Sequence, residues 1–204
     1  MKPSIWAVVP AKSLSEGKSR LRPLLDEAAR ARLAQELLEH VLDTLRACDL
    51  EGVLVATDGD DVASVALSRG ATVLRDRESG SLARVVDLAL AEVTSLGATI
   101  GIVLMADLPH IEPRDVRELV ATLTGHDVAL VRDRLGHHTN ALAITLPPAI
   151  ETRFGRDDSF AAHLLAAEAA GLSVGIVANE RIAFDVDLPT DHAALTTPRP
   201  AIGT

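Results

Sequence analysis

The sequence predicts an α/β protein of one domain, built on a mixed, mostly parallel sheet flanked by helices. Three observations carry that expectation. Short runs rich in Val and Ile alternate with longer segments of helical period, which is the mark of strands joined by crossover helices. Gly70, Gly97, Gly125 and Gly171 each stand where a helical pattern stops. The 204 residues, 48% of them hydrophobic, suffice for one substantial core, and no repeat or low-complexity linker divides them.

In chain order, Ile5 to Val9 reads as the first strand. Glu27 to Ala47 reads as a long helix in which Leu33, Leu37, Leu38, Val41, Leu42 and Leu45 recur on one face. Strands follow at Gly52 to Thr57, Ala71 to Leu74 and Ile100 to Met105, separated by helices at Asp60 to Ser68 and Leu82 to Leu96, so the first half is βαβαβ. After a helix from Pro113 to Leu123 come strands at Asp127 to Val131, Ala141 to Thr145 and Ser173 to Val177, with a helix from Ser159 to Ala170 before the last. Only a loop separates the strands around Val128 and Ala143, so at least one antiparallel member is expected. A final strand is expected at Phe184 to Asp187. The domain is taken as residues 1–195, and residues 196–204, with Pro198 and Pro200, as a frayed tail.

Composition narrows the function. Aromatic residues make up 2% of the chain and the net charge is -9, so neither stacking platforms nor a basic field are at hand for a nucleic acid. Any anionic ligand needs a local pocket of cations or amides. Cys48 alone permits no disulfide within the chain and no zinc set. The first apolar run, interrupted by Pro10 and Lys12, is too short for a signal-peptide core or a membrane span, so a soluble cytoplasmic protein with no nucleic-acid or membrane partner is expected.

Two regions carry chemistry. The loop after the first strand holds Lys12, Lys18 and Arg20 at a strand's C-terminal end, where open α/β sheets bind ligands. These cations suit a triphosphate, with solvated loop charges as the alternative; the glycine spacing of a Walker loop is absent. The apolar strand ending Met105-Ala106-Asp107-Leu108-Pro109 places Asp107 at the same edge, unless it caps the next helix. In Phe184-Asp185-Val186-Asp187, alternation puts Asp185 and Asp187 on one face, where they repel unless a cation lies between them. Magnesium, which bridges carboxylates to phosphates, is the economical answer; a solvated turn capped by Thr190 or Asp191 is the alternative.

Together, Val9-Pro10-Ala11-Lys12 with Lys18-Ser19-Arg20-Leu21, Ala106-Asp107-Leu108-Pro109, His138-Thr139-Asn140-Ala141-Leu142, Phe154-Gly155 with Ser159 and His163, and Asp185-Val186-Asp187-Leu188-Pro189 resemble one family. It is the 2-phospholactate guanylyltransferase family, with its phosphoenolpyruvate-using members, which acts in assembly of the deazaflavin coenzyme F-420. The resemblance spans Ile5 to Asp191 and implies the nucleotidyltransferase fold of the glycosyltransferase-A type. It implies Lys12 and Lys18 as phosphate ligands, Pro10, Ala11, Ser81 and Leu82 on the nucleotide side, and Asp107, Asp185 and Asp187 as the Mg2+ carboxylates. The acceptor falls to His138, Thr139, Asn140, Gly155 and Ser159, with Ser159 also read as the N-cap of its helix. The implied partners are GTP and a small phosphorylated three-carbon acid, with a downstream transferase to receive the product.

Three departures mark this chain. His138-Thr139-Asn140 stands where the family has Gly-Thr-Asn, the interval from Gly155 to Ser159 is one residue longer, and Ser81-Leu82-Ala83 replaces Gly-Leu-Asn. The first two fall in the acceptor pocket and bring 3-phosphoglycerate in beside 2-phospholactate and phosphoenolpyruvate; the third touches the base pocket. Alternatives are a cytidylyl- or molybdopterin-type nucleotidyltransferase and a catalytically silent nucleotide-binding regulator. A flavodoxin-like signalling domain is disfavoured, since its acidic cluster would follow the first strand, where Lys12, Lys18 and Arg20 stand.

Overall fold

The computed structural model describes residues 2–76 and 80–196. Strands β1 (Ile5–Pro10), β2 (Gly52–Thr57), β3 (Thr72–Arg75), β4 (Ile100–Leu104), β5 (Val128–Arg132), β6 (Thr139–Thr145) and β7 (Val174–Ile176) form one sheet in the order β3-β2-β1-β4-β6-β5-β7. β6 alone runs antiparallel to its neighbours β4 and β5. The helices are α1 (Glu27–Arg46), α2 (Asp60–Ser68), α3 (Leu82–Ser95), α4 (Pro113–Thr122), α5 (Ser159–Ala169), α6 (Glu180–Ala183) and α7 (Pro189–Thr196).

Alternation along β1 sorts the core into two layers. Ala7 and Val9 pack with Leu38 and Val41 of α1, Ala66 of α2 and Leu119 of α4, whereas Val8 packs with Val86 and Leu90 of α3 and Phe160 of α5. Each fully buried Leu or Val contributes about 1.5–3 kcal/mol, so the periodic face of α1 is sufficient reason for that helix to lie where it does.

The direction of β6 positions the site. The parallel strands β1 and β4 end at one edge, and pairing Leu104 with Ala141 makes the antiparallel β6 begin there. Thr139, the first residue of β6, therefore meets the loops that leave β1 and β4.

Most elements match the sequence expectation within two residues. The strand expected at Phe184 to Asp187 is absent: the segment joins no ladder, and its Val186 N–H donates to the Asp107 carbonyl at 3.3 Å. Pro189 then starts α7, which runs to Thr196; the rest of the expected tail, residues 197–204, lies outside the described residues. The one-turn α6 and a 3-10 turn at Ser19–Leu21 were also not foreseen. No helix among the described residues is long and apolar enough to cross a membrane.

Candidate active site

Asp107 follows β4, and the Asp185 to Asp187 segment is held beside it by a buried pin. Val186 is fully buried with Leu21, Leu33 and Leu37, which turns its two neighbours outward together. Oxygens of Asp107, Asp185 and Asp187 all lie within 4.8 Å of one another. Asn140 Nδ2 donates to the Ile182 carbonyl at 3.0 Å and to Asp185 Oδ1 at 3.2 Å, and Asp191 Oδ2 accepts the Asp187 and Leu188 N–H groups at 3.1 and 2.7 Å. Asn140, assigned to the acceptor by resemblance, thus uses its amide to hold the carboxylate loop while lining the cleft.

Charge is incompletely balanced here. Asp107 Oδ1 is buried without a hydrogen-bond partner. Burial first, and then the charges of Asp107 and Asp187, push Asp185 up to about 6. The counter-charge comes from the first loop: Lys18 Nζ pairs with Asp107 and, at 3.1 Å, with Asp187, while Arg20 reaches Asp187 at 3.2 Å. Burial opposes the Lys18 charge, but these carboxylates outweigh it and hold its pKa above the usual lysine value. Lys18 adopts φ 54°, the left-handed region, and is the one non-glycine residue to do so among the described residues. An uncommon backbone state held by two long-range ion pairs marks a position fixed by the site. An all-oxygen donor set with one orphaned oxygen fits a hard divalent cation such as Mg2+. The capping alternative for Asp107 falls, because Glu112 stands at the N-cap of α4 and its N–H donates to Asp115 Oδ2 at 2.8 Å.

Two cavities meet at these carboxylates. A cleft of about 380 Å³ is lined by Lys18, Asp107, Thr139, Ser159 and Asp185. A groove of about 1460 Å³ is lined by Pro10, Ala11, Lys12, Ser81 and Arg84, and Arg20, Leu82, Gly155 and Asp187 border both. Ser81 caps α3, its Oγ accepting the Arg84 N–H at 3.3 Å. Gly155 sits at φ 80°, and a Cβ there would meet Leu82 Cβ at 3.0 Å, so the wall between the cavities requires glycine.

The cleft's far wall is built from hydroxyls. The Thr139 N–H donates to Ser159 Oγ at 3.0 Å. Ser159 is not the N-cap that was expected: Asp158 occupies that position, and the Ser159 and Phe160 N–H groups go to the Arg156 and His137 carbonyls. His138 lines the cleft, whereas His137 is exposed outside it. Both donate their backbone N–H to Asp133 Oδ1, at 2.9 and 2.7 Å, so buried Asp133 shapes this turn. Asp133 was missed from the sequence, and His163 received no role there. The available signal was a titratable residue among Phe160, Ala162 and Ala167 on the buried face of α5.

Residues 5–196 match the family described as guanylyl transferase CofC like. The chain belongs to this family. It is 38% identical over 186 residues to a phosphoenolpyruvate guanylyltransferase of Sphaerobacter thermophilus, covering 91% of this chain and 89% of that one. It is 28% identical to a 2-phospho-L-lactate guanylyltransferase of Methanobrevibacter smithii, covering 92% and 81%. Among solved structures, a putative nucleotide-diphospho-sugar transferase from Desulfovibrio desulfuricans superposes with a TM-score of 0.80 at 15% identity, covering 95% and 86%, a likeness of fold. The protein is a nucleotidyltransferase of the guanylyltransferase class.

Proposed function

We propose that this enzyme transfers GMP from GTP to the phosphate of a three-carbon phosphorylated acid, with phosphoenolpyruvate first among the candidates, in assembly of coenzyme F-420. One observation carries the reading: three carboxylates within 4.8 Å, one with an orphaned buried oxygen, stand where a nucleotide-sized groove meets a smaller polar cleft. Phosphoenolpyruvate is preferred to 2-phospho-L-lactate because the relative bearing that name is the more similar, at 38% against 28% identity.

Asp107, Asp185 and Asp187 would hold Mg2+, which when bound supplies the positive charge that lets two phosphates approach. The remaining work falls to the chain. An acceptor phosphate oxygen forms a bond to the α-phosphorus of GTP, and the bridging oxygen leaves with pyrophosphate. That oxygen is already anionic near neutral pH, so alignment and charge dominate the barrier rather than proton removal. Lys12 on the groove, with Lys18 and Arg20 beside the carboxylates, suits the departing pyrophosphate. Thr139, Ser159 and Gly155 form the acceptor end, and Gly155 keeps that wall thin enough for the two substrates to meet.

The test is to incubate the protein with each nucleoside triphosphate, Mg2+ and, in turn, phosphoenolpyruvate, 2-phospholactate and 3-phosphoglycerate, following pyrophosphate release and adduct mass. GTP with phosphoenolpyruvate should give the adduct, and chelator should abolish it. Transfer from CTP in preference to GTP, or full turnover in chelator, would refute the reading.

A further inference from the structure

We propose that His163 is a positioning residue for the acceptor: it turns the Thr139 hydroxyl hydrogen into the cleft, where it donates to the acceptor's anionic group. The inference rests on the reading above that Thr139 and Ser159 form the acceptor end.

The imidazole is buried, 1% exposed, on α5 behind the cleft wall, so it does not touch the ligand itself. Its Nε2 lies 2.8 Å from the Arg153 N, a backbone group that can only donate, so Nε2 must be the unprotonated nitrogen. A neutral ring then carries its hydrogen on Nδ1, which lies 3.0 Å from Thr139 Oγ1. The Ser159 carbonyl also accepts from this ring, but a protonated Nδ1 cannot accept from the Thr139 hydroxyl, which can only accept from it and must direct its hydrogen elsewhere. Ser159 Oγ is committed in the same sense by the Thr139 N–H at 3.0 Å. Two neighbouring hydroxyls therefore have lone pairs engaged by the protein, which leaves their O–H hydrogens for an anion in the cleft. Burial depresses the His163 pKa to about 4, so the ring keeps this single tautomer at neutral pH. The ring also meets Phe154 edge-on at 4.8 Å, which ties the 153–155 wall to the same residue.

The experiment is a double-mutant cycle on the full chain with His163→Phe, Thr139→Val and the double variant, reading KM for phosphoenolpyruvate, KM for GTP and the melting temperature. His163→Phe keeps an aromatic ring against Phe154 but has no Nδ1–H. Each single variant should raise the phosphoenolpyruvate KM about tenfold with the GTP KM changed by less than about twofold. The double variant should be no worse than Thr139→Val, because His163 acts through that hydroxyl. His163→Asn, whose amide can donate toward Thr139, should recover part of the loss. If His163→Phe does not fold, His163→Gln, which can accept from Arg153 yet lacks the Nδ1–H, takes its place. Additive losses, equal shifts in both KM values, or a lowered melting temperature with unchanged KM would overturn the proposal. Should the wild type bind phosphoenolpyruvate by calorimetry but not turn it over, the transfer reading fails and the same cycle is read in binding. Should it bind none, the acceptor end is misassigned and the proposal falls with it.

Discussion

The carboxylates around Asp115 and those around Asp107 are built on opposite principles. Asp115 on α4 is fully buried, and every charge it carries is answered: Arg181 donates to both of its oxygens, Asn179 Nδ2 donates at 2.9 Å and the Glu112 N–H at 2.8 Å. Burial works to raise its pKa, but these bonds outweigh it and hold the carboxyl below the usual carboxylate range. Asp107, Asp185 and Asp187 show the reverse. Asp107 leaves an oxygen unpartnered, and Asp185 is pushed up to about 6 by burial and its acidic neighbours. A structural carboxylate is one whose bonds are complete within the chain; a cluster whose charge is incomplete can take up a cation, as proposed above. The first kind holds the second in place, because Asn179 caps α6 and Arg181 lies within it, and α6 leads directly into the Asp185 loop.

The largest expected effect tests that contrast from the incomplete side. Asp107→Asn or Asp187→Asn should lower turnover about a thousandfold, roughly 4 kcal/mol of transition-state stabilisation, as read by pyrophosphate release. In chelator, Asp187→Asn should leave the melting temperature unchanged or slightly higher, since it removes one of three mutually repelling charges, whereas Asp107→Asn should lower it by taking the main partner from buried Lys18. From the complete side, Asp115→Asn should lose about 3 kcal/mol in denaturant unfolding by leaving Arg181 without its partner, while turnover of the folded fraction stays near normal. Collapse of turnover there at full stability would erase the distinction between the clusters.

The uncharged wall gives a pH test. His163 has a folded-state value of about 4 against an ordinary 6.5, so the folded state disfavours its proton. Its contribution is fully present above pH 6.5 and is lost as the pH falls toward 4, a change of about 3 kcal/mol. Unfolding free energies of wild type and His163→Gln should therefore converge on acidification through that window. Parallel curves would show that His163 is not buried as a neutral ring. The smallest effect belongs to the loop cation: Lys18→Met should raise the GTP KM about tenfold, roughly 1.4 kcal/mol. An unchanged GTP KM would confine Lys18 to balancing the carboxylates.

The alternating halves of the fold were legible because Val- and Ile-rich strands and the one-sided leucines of the first long helix are local patterns. Asp107 was legible as the polar end of an apolar strand. Asp185 and Asp187 were legible for a partly wrong reason: alternation about buried Val186 survives although no ladder forms, because it depends on one anchored side chain and not on pairing. What stayed hidden is long-range. Lys18 meets Asp107 across 89 residues through a left-handed backbone state that falls on Lys18 itself and not on the glycine before it. Asn179 caps a helix of one turn, too short to leave a period, and owes its place to Asp115 on another element. The proton arrangement at His163 depends on a backbone N–H from a different loop.

Whether the triad is a metal site serving the nucleotide is tested most directly by Mn2+ binding followed by electron paramagnetic resonance. Titrating Mn2+ into wild type and Asp187→Asn, each with and without GTP, counts free ion without requiring turnover. Wild type should retain Mn2+ and hold it more tightly with GTP, and Asp187→Asn should weaken retention at least about tenfold in the presence of nucleotide. Equal Mn2+ affinity in the two proteins would contradict the metal assignment.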